Sequence, residues 1–259
     1  MALLDPTTFP DWLPPHSLEW YKQLSNLQDK YIYSWNSTLT EPNGESIFDE
    51  EVAKMIPNKK VLDIGCGHGE FTLKCGGDAK EIVGFDVTDH FVRVGLENKK
   101  PNVSFVIGNT KDGLPFEKDE FDCAYIRKGP TSAYPFLKQV IKKGGKVIGL
   151  HPGDELGREL PLLFPKLFEI TKGTQILHTI KRRLESSNCS YTRIETINSI
   201  EYINSPLDVL KLRCFGQHPT IYEKLKNENL SEISRIFKQN ATEYGLPITF
   251  SRYIVRVIV

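Results

Sequence analysis

The sequence predicts an α/β protein, a mostly parallel sheet with helices on both faces, and three observations carry that expectation. From residue 60 onward, short apolar runs at 61–64, 82–85, 103–107, 123–126 and 147–150 alternate with segments of helical periodicity. Such runs fit strands buried on both faces, which is how a helix-covered parallel sheet is built. The first run leads into Asp63-Ile-Gly-Cys-Gly-His-Gly69, a sharp glycine-rich turn from strand to helix.

Taken in order, residues 1–57 read as an N-terminal helical lid. Ser17 opens a short amphipathic helix bearing Leu18, Tyr21, Leu24 and Leu27. The aromatic stretch Tyr31-Ile-Tyr-Ser-Trp35 follows, then the turn Pro42-Asn-Gly44. Ser46 with Asp49 marks a second helix start, carrying Phe48, Val52, Met55 and Ile56 until Pro57 ends it. Between the five strands, Thr88 caps a helix bearing Phe91, Val92 and Leu96, and another carries Phe136, Leu137, Val140 and Ile141 up to Gly144-Gly145. Residues 152–190 interrupt the spacing and read as a cap insertion, with Leu156, Leu160, Leu163, Phe164 and Leu167 broken by Pro161 and Pro165. Residues 191–203 fit an antiparallel strand, Ser205-Pro-Leu-Asp208 opens a helix closed by Gly216, and Ile248 to Val259 is a terminal strand. The expected organisation is thus a lid, 1–57, and a main domain, 58–259, with its cap at 152–190.

Composition excludes several classes. Lys plus Arg and Asp plus Glu number 33 each, so no net charge draws the chain to nucleic acid or an anionic membrane. The five cysteines have no metal-site spacing, and no metal is expected. Residues 1–15 lack the basic start of a signal peptide, and no apolar run approaches the roughly 20 residues that span a bilayer. A cytoplasmic location is the expectation.

The glycine turn carries the chemistry. A strand delivers Asp63, and Gly65, Gly67 and Gly69 let the chain reverse and a ligand approach the main chain. A pyrophosphate loop of the G-x-G-x-x-G type needs glycine where this chain has Glu70. Two carboxylates, Asp63 and Glu70, suit instead a ligand with an ammonium group and no phosphate. Asp86 ends the second strand and can accept two ribose hydroxyls, Val87 is placed to lie on an adenine, and Asn109, followed by Thr110, can reach the adenine edge.

With these residues the middle of the chain resembles the class I S-adenosylmethionine-dependent methyltransferases. The resemblance covers about residues 58–150 and the terminal strand. It rests on Asp63-x-Gly65-x-Gly67-x-Gly69, on Asp86, on Leu114 to Phe116 with Phe121-Asp122, and on Lys142-Lys-Gly-Gly145; Asn109 stands where many members have Asp. It implies a Rossmann-like seven-stranded sheet with an antiparallel last strand, no metal, S-adenosylmethionine as cofactor, and a cofactor site of Asp63, Gly65, Cys66, Gly67, Asp86, Val87, Asn109, Thr110 and Arg127. Arg127 lies in the turn where members hold the methionine end; it is also a candidate for an anionic substrate, with a loop arginine facing water as the default reading.

Direct displacement at a methyl carbon needs alignment before it needs a base. Catalytic residues are therefore unassigned, with His151 and Tyr134 as candidates should the acceptor require proton removal. Tyr31, Tyr33, Trp35, Arg127 and His151 are candidate lid or substrate residues, and Lys181-Arg-Arg183 reads as a solvated helix face. The expected acceptor is a small molecule. The alternatives are an RNA or protein methyltransferase, for which no recognition module is visible, and a non-catalytic cofactor-binding protein.

Overall fold

The computed structural model describes residues 3–170 and 173–259. In chain order the elements are α1 (Leu18–Leu27), β1 (Ser37–Leu39), α2 (Gly44–Met55), β2 (Lys60–Ile64), α3 (Glu70–Cys75), β3 (Glu81–Asp86), α4 (Asp89–Glu97), β4 (Val103–Ile107), β5 (Phe121–Arg127), α5 (Leu137–Val140), β6 (Ile141–Pro152), α6 (Leu160–Leu163), α7 (Gln175–Glu185), β7 (Tyr191–Ile203), α8 (Pro206–Arg213), α9 (Pro219–Asn240) and β8 (Leu246–Ile258). The sheet has eight strands, in the order β1-β7-β8-β6-β5-β2-β3-β4, rather than seven. The additional strand is the three-residue β1, too short to leave a periodic signal; it pairs antiparallel with the end of β7, Ser37 opposite Ile203. Strands β2 to β6 pair in parallel, and β8 runs antiparallel beside β6.

Backbone contacts divide the chain into two compact units. One comprises Met1–Glu41, Glu155–Lys172 and Asn198–Ser251; the other comprises Pro42–Asp154, Gly173–Ile197 and Arg252–Val259. The expected boundaries at 57 and at 152–190 do not coincide with these. Helix α2 falls in the sheet unit, because Phe48, Val52 and Met55 bury against Val61, Tyr125 and Ile254.

In the sheet unit, side-chain alternation along each strand explains the two layers of helix. Val61, Cys123, Tyr125, Ile148 and Ile254 face one core, with α2. Their neighbours Leu62, Ala124, Ile126, Val147, Tyr253 and Val255 face the other, with Ile180 and Leu184 of α7. Successive residues of a strand point to opposite faces, so strands apolar at every position need a cover on each. The other unit has its own core, built on Phe164, Leu167, Val209, Leu210, Leu225, Ile233 and Ile248.

Several local expectations change. Helix α2 starts earlier, on a capping box in which Asn43 accepts from Ser46 N–H and Ser46 reaches back to Asn43 N–H. The segment from Ile141 to Gly145 is strand, not helix, and the helix before it is only four residues long. Ser205 caps α8 as expected, but α8 ends at Arg213, before Gly216. The cap insertion holds a single turn, α6, followed by α7. All five cysteines are unpaired thiols, and no helix among the described residues is long and apolar enough to cross a membrane.

The cap of α7 comes from a distant element. Thr174 at its N-cap position makes no side-chain capping bond, and Asp154, just after β6, instead accepts the N–H groups of Ile176 (2.8 Å) and Leu177 (3.0 Å). Asp154 also accepts the Tyr253 hydroxyl at 2.8 Å. Asp154→Ala removes the cap and the carboxylate that accepts the Tyr253 hydroxyl, and should cost about 1–3 kcal/mol. Urea unfolding should show a lower midpoint at unchanged slope; a loss below about 0.5 kcal/mol would contradict this role.

Candidate active site

Strand β2 carries Asp63 into the middle of the sheet, where the side chain is 2% exposed. Asp63 sits opposite Tyr125 of β5. The Tyr125 hydroxyl donates to Oδ2 at 2.9 Å, and Thr72 of α3 donates to the same oxygen at 2.6 Å. The other oxygen, Oδ1, is buried and has no hydrogen-bond partner among the described residues. Burial pushes the Asp63 carboxyl up to about 7, against the two hydroxyl donors that favour its ionised form.

Past Ile64 the chain turns through two glycines that demand their identity for different reasons. Gly65 has φ +80°, and a Cβ there would lie 2.6 Å from Pro130 Cδ and 2.8 Å from Gly129 Cα. Main chain meets main chain at that point. Gly67 has φ +55° and nothing within 4 Å of where a Cβ would sit, so the surface above it is open. An L-residue in this conformation costs about 1–2 kcal/mol. Cys66 between them is partly buried, its thiol driven well above the usual range by burial. His68 turns back to Glu70, with Nε2 3.1 Å from its carboxylate.

Asp86, at the end of β3, bridges this turn to the next helix. Oδ2 accepts the Gly67 N–H at 2.9 Å and Oδ1 accepts the Thr88 N–H at 2.8 Å. Thr88 is the N-cap of α4 but makes no side-chain cap; the carboxylate two residues upstream serves instead. Each carboxylate oxygen keeps a lone pair for a further donor. Burial raises the Asp86 carboxyl as well. Val87 beside it is an exposed apolar side chain, at 37%. Asn109, after β4, accepts the Lys111 N–H through Oδ1 at 3.0 Å and keeps its amide NH₂ as a donor. Thr110 is buried, its hydroxyl 2.6 Å from that of Ser132.

Arg127, at the end of β5, is partly exposed but pairs with carboxylates of the protein. Its Nε and Nη2 grip the two carboxylate oxygens of Asp49 at 2.8 and 3.1 Å, Nη2 lies 3.4 Å from Glu45, and its guanidinium stacks 4.8 Å from the Phe71 ring centre. Glu45 also meets Lys128 at 3.1 Å and Arg252 at 2.9 Å. These cations hold the Glu45 carboxyl below its ordinary range. Glu45 and Asp49 stand four apart on α2, a spacing that puts both on one face and that sequence reasoning did not connect with Arg127.

His151 and Tyr134 are wholly buried in the sheet unit and paired, Nε2 to hydroxyl at 2.7 Å. Tyr31, Tyr33 and Trp35 belong to the other unit. There Tyr33 stacks on Trp35 at 4.3 Å, all three rings lie edge-on to Phe215 at 5.3–5.6 Å, and the Trp35 indole donates to Glu201 at 3.1 Å.

What the sheet unit gathers at the carboxyl ends of β2, β3 and β4 is a buried acid with one orphaned oxygen, an uncovered glycine turn, and a second acid with spare acceptor capacity. This donor and acceptor set suits S-adenosylmethionine. An ammonium answers the orphaned oxygen of Asp63, two vicinal hydroxyls answer Asp86, and the space over Gly67 admits a ligand to the main chain.

Comparison with known proteins agrees. A methyltransferase-domain family model matches residues 56–241. A ubiquinone/menaquinone biosynthesis C-methyltransferase from Shewanella frigidimarina is 33% identical over 127 residues, 42% of this chain and 50% of that protein. The chain thus spans about half the length of the curated relatives it matches. Among solved structures, a protein of unknown function from Deinococcus radiodurans superposes with TM-score 0.61 at 17% identity, covering 93% of this chain and 97% of that one. A putative methyltransferase from Bacillus halodurans superposes with TM-score 0.53 at 16% identity, covering 81% and 96%. The eight-stranded α/β sheet, the glycine turn between two strand-end acids and the family match agree, and the chain belongs to the methyltransferase-domain family.

Proposed function

We propose that the chain transfers a methyl group from S-adenosylmethionine to a small-molecule acceptor, with Asp63, Gly65, Cys66, Gly67, Asp86, Val87, Asn109 and Thr110 forming the cofactor site. The orphaned Oδ1 of Asp63 is the observation that carries the cofactor placement, since a buried carboxylate oxygen without a donor calls for a cation. For the acceptor, support comes from the relatives, named for C-methylation in quinone biosynthesis, and from a charge balance with no excess of cations.

The cofactor supplies, when bound, a sulfonium methyl carbon: the acceptor's electron pair forms the new bond while the C–S electrons remain on sulfur, leaving S-adenosylhomocysteine. The chain's task is alignment. Asp86 fixes the nucleoside end while tying the glycine turn to α4, and Asp63 draws the ammonium end toward β2. Arg127 acts at one remove, holding α2 against β5 through Asp49. In this reading His151, buried and bonded through Nε2 to Tyr134, and Arg127, whose Nε and Nη2 are held by Asp49, are not substrate contacts.

Two outcomes are expected. Asp63 must be ionised to receive an ammonium, yet its carboxyl sits near 7 in the unliganded protein. Binding of S-adenosylhomocysteine should therefore strengthen between pH 6 and 8 and release a proton at pH 6. Calorimetry in buffers of different ionisation heat reads that proton, and Asp63→Asn should abolish the dependence. The stability of the unliganded protein should run the other way: a carboxyl raised on folding contributes most below about pH 4, and that contribution is lost as pH climbs through 7. Secondly, methyl-labelled cofactor incubated with cell extract should label the small-molecule fraction. Asp86→Ala should weaken S-adenosylhomocysteine binding about 10- to 100-fold. Label confined to RNA or protein would overturn the acceptor class, and unchanged binding in Asp86→Ala would overturn the site.

A further inference from the structure

Strand β7 leaves one edge of the sheet unit open, and the side chains along that edge are complementary to themselves. β7 lies between β1 and β8 in the sheet. On its inner side the Ser190 N–H donates to the Ile258 carbonyl at 2.9 Å, and Arg256 Nη1 donates to Glu195 at 2.8 Å. On its outer side β1 is only three residues long and pairs with Glu201, Tyr202 and Ile203, and Thr40 extends that cover as far as Ile200. Among the described residues no strand lies against the outer edge of residues 191–197.

Proteins blunt open edges with proline, lysine or a bulge, because a row of unpaired main-chain groups is a template for another strand. Residues 191–197 read Tyr-Thr-Arg-Ile-Glu-Thr-Ile, with neither proline nor lysine and with four β-branched side chains that favour strand. Side chains alternate along this edge. Ile197 packs in the core that holds α2, and Ile194 in the core that holds α7. Tyr191, Arg193 and Glu195 therefore share the face of Ile197, and Thr192 and Thr196 share the face of Ile194.

A second copy laid antiparallel along the edge is related to the first by a two-fold axis perpendicular to the sheet. Such an axis keeps each face on its own side, so opposed residues must come from the same face. Centred on Ile194, it sets Arg193 opposite the partner's Glu195 and Glu195 opposite the partner's Arg193. Thr192 then faces the partner's Thr196, and Tyr191 faces the partner's Ile197. Opposite-charge, threonine and aromatic–β-branched pairs are the cross-strand neighbours that stabilise a sheet. The adjacent registers, centred on Arg193 or on Glu195, put like charges together on the axis. Both charged groups are available: the Arg193 side chain is 59% exposed and meets Glu195 of its own strand only at 3.7 Å, while Glu195 gives Oε2 to Arg256 and its Oε1 accepts no hydrogen bond among the described residues.

We propose that the outer edge of β7 at residues 191–197 is an interface for a second copy of this chain, forming a two-fold dimer whose sheet continues across the axis in the register centred on Ile194. The contact is isologous, so it closes on itself and builds no open-ended stack. The dimer requires no ligand in the cofactor site.

Seven paired residues from each copy make a small interface, for which a dissociation constant of about 10–100 µM is expected. Sedimentation of the full chain from about 5 to about 300 µM should show the mass rising from one copy toward two. Over the same range, hydrogen exchange at the amides of 191–197 should slow about threefold or more. Arg193→Glu and Glu195→Lys should each weaken association about tenfold or more, since each sets like charges opposite one another. An equimolar mixture of the two should associate within about threefold of the parent, because the two substituted side chains then meet as an opposite pair and the parent pair survives across the axis. A parent that stays monomeric at about 300 µM overturns the proposal. Association that leaves exchange at 191–197 unchanged overturns it too, as does a mixture that associates no better than its components when both fold like the parent by circular dichroism. Glu195→Lys sets a second cation beside Arg256; if that variant does not fold, the concentration dependence of exchange in the parent decides alone.

Discussion

Main chain packs on main chain where the turn after β2 meets the turn after β5, and the site exists because no side chain intervenes. Gly65 and Gly129 approach so closely that a single Cβ on either would strike the other segment. The parallel pairing of β2 with β5, Val61 opposite Cys123 and Asp63 opposite Tyr125, brings the two turns level. That register also puts the Tyr125 hydroxyl on Asp63, so one backbone alignment produces both the contact and the polar floor beneath it. A slip of one residue would send Asp63 and its donors to opposite faces of the sheet.

Around this contact the sheet unit uses charge as a clamp. Glu45 and Asp49 of α2 face Arg127, Lys128 and Arg252, which come from the ends of β5 and from β8. Pairs this sheltered from water give little net stability relative to apolar packing, but removing one partner is costly because the other charge remains buried. They fix where α2 lies, and α2 in turn delivers Phe48, Val52 and Met55 to the core beneath β2.

The sequence made the strands and the ligand turn legible because both are local. Apolar runs located β2 to β5, residues 191–203 were read as the strand that forms β7, and the spacing of Asp63, the three glycines and Asp86 was enough to name a ligand. What escaped depends on partners far apart in the chain. Arg127 looked like a solvent or substrate contact because its partner Asp49 lies 78 residues upstream. The cap of α7 escaped because Asp154 is 22 residues from the amide it caps, and Thr88 was credited with a cap that Asp86 supplies. His151 at a strand end looked available, since nothing local shows that a tyrosine 17 residues earlier fills the space left by Gly149. Ile141 to Gly145 carried a helix's apolar spacing, yet pairing of Ile141 with Phe121 of β5 and bonds of Gly144 and Gly145 to Val259 drew it into the sheet, where tertiary context overrides propensity.

The two strand-end acids show how one fold makes unlike sites from like residues. Asp86 lies toward the rim with an N–H on each oxygen, so its charge is already shared with the main chain before any ligand arrives. Asp63 lies beneath the turn with both of its donors on one oxygen. Arg127, whose charge acts on it, is paired with Asp49. Ionising Asp63 in the unliganded protein therefore carries a desolvation penalty that its two hydroxyl donors and Arg127 offset only in part, which is why its carboxyl climbs toward neutrality. An ammonium beside Oδ1 removes that penalty and a neutral ligand does not. On the cofactor site proposed above, Asp63 would thus act as a selectivity device: the floor of the site would favour a cation over an isosteric neutral group by part of the cost that the folded protein already bears.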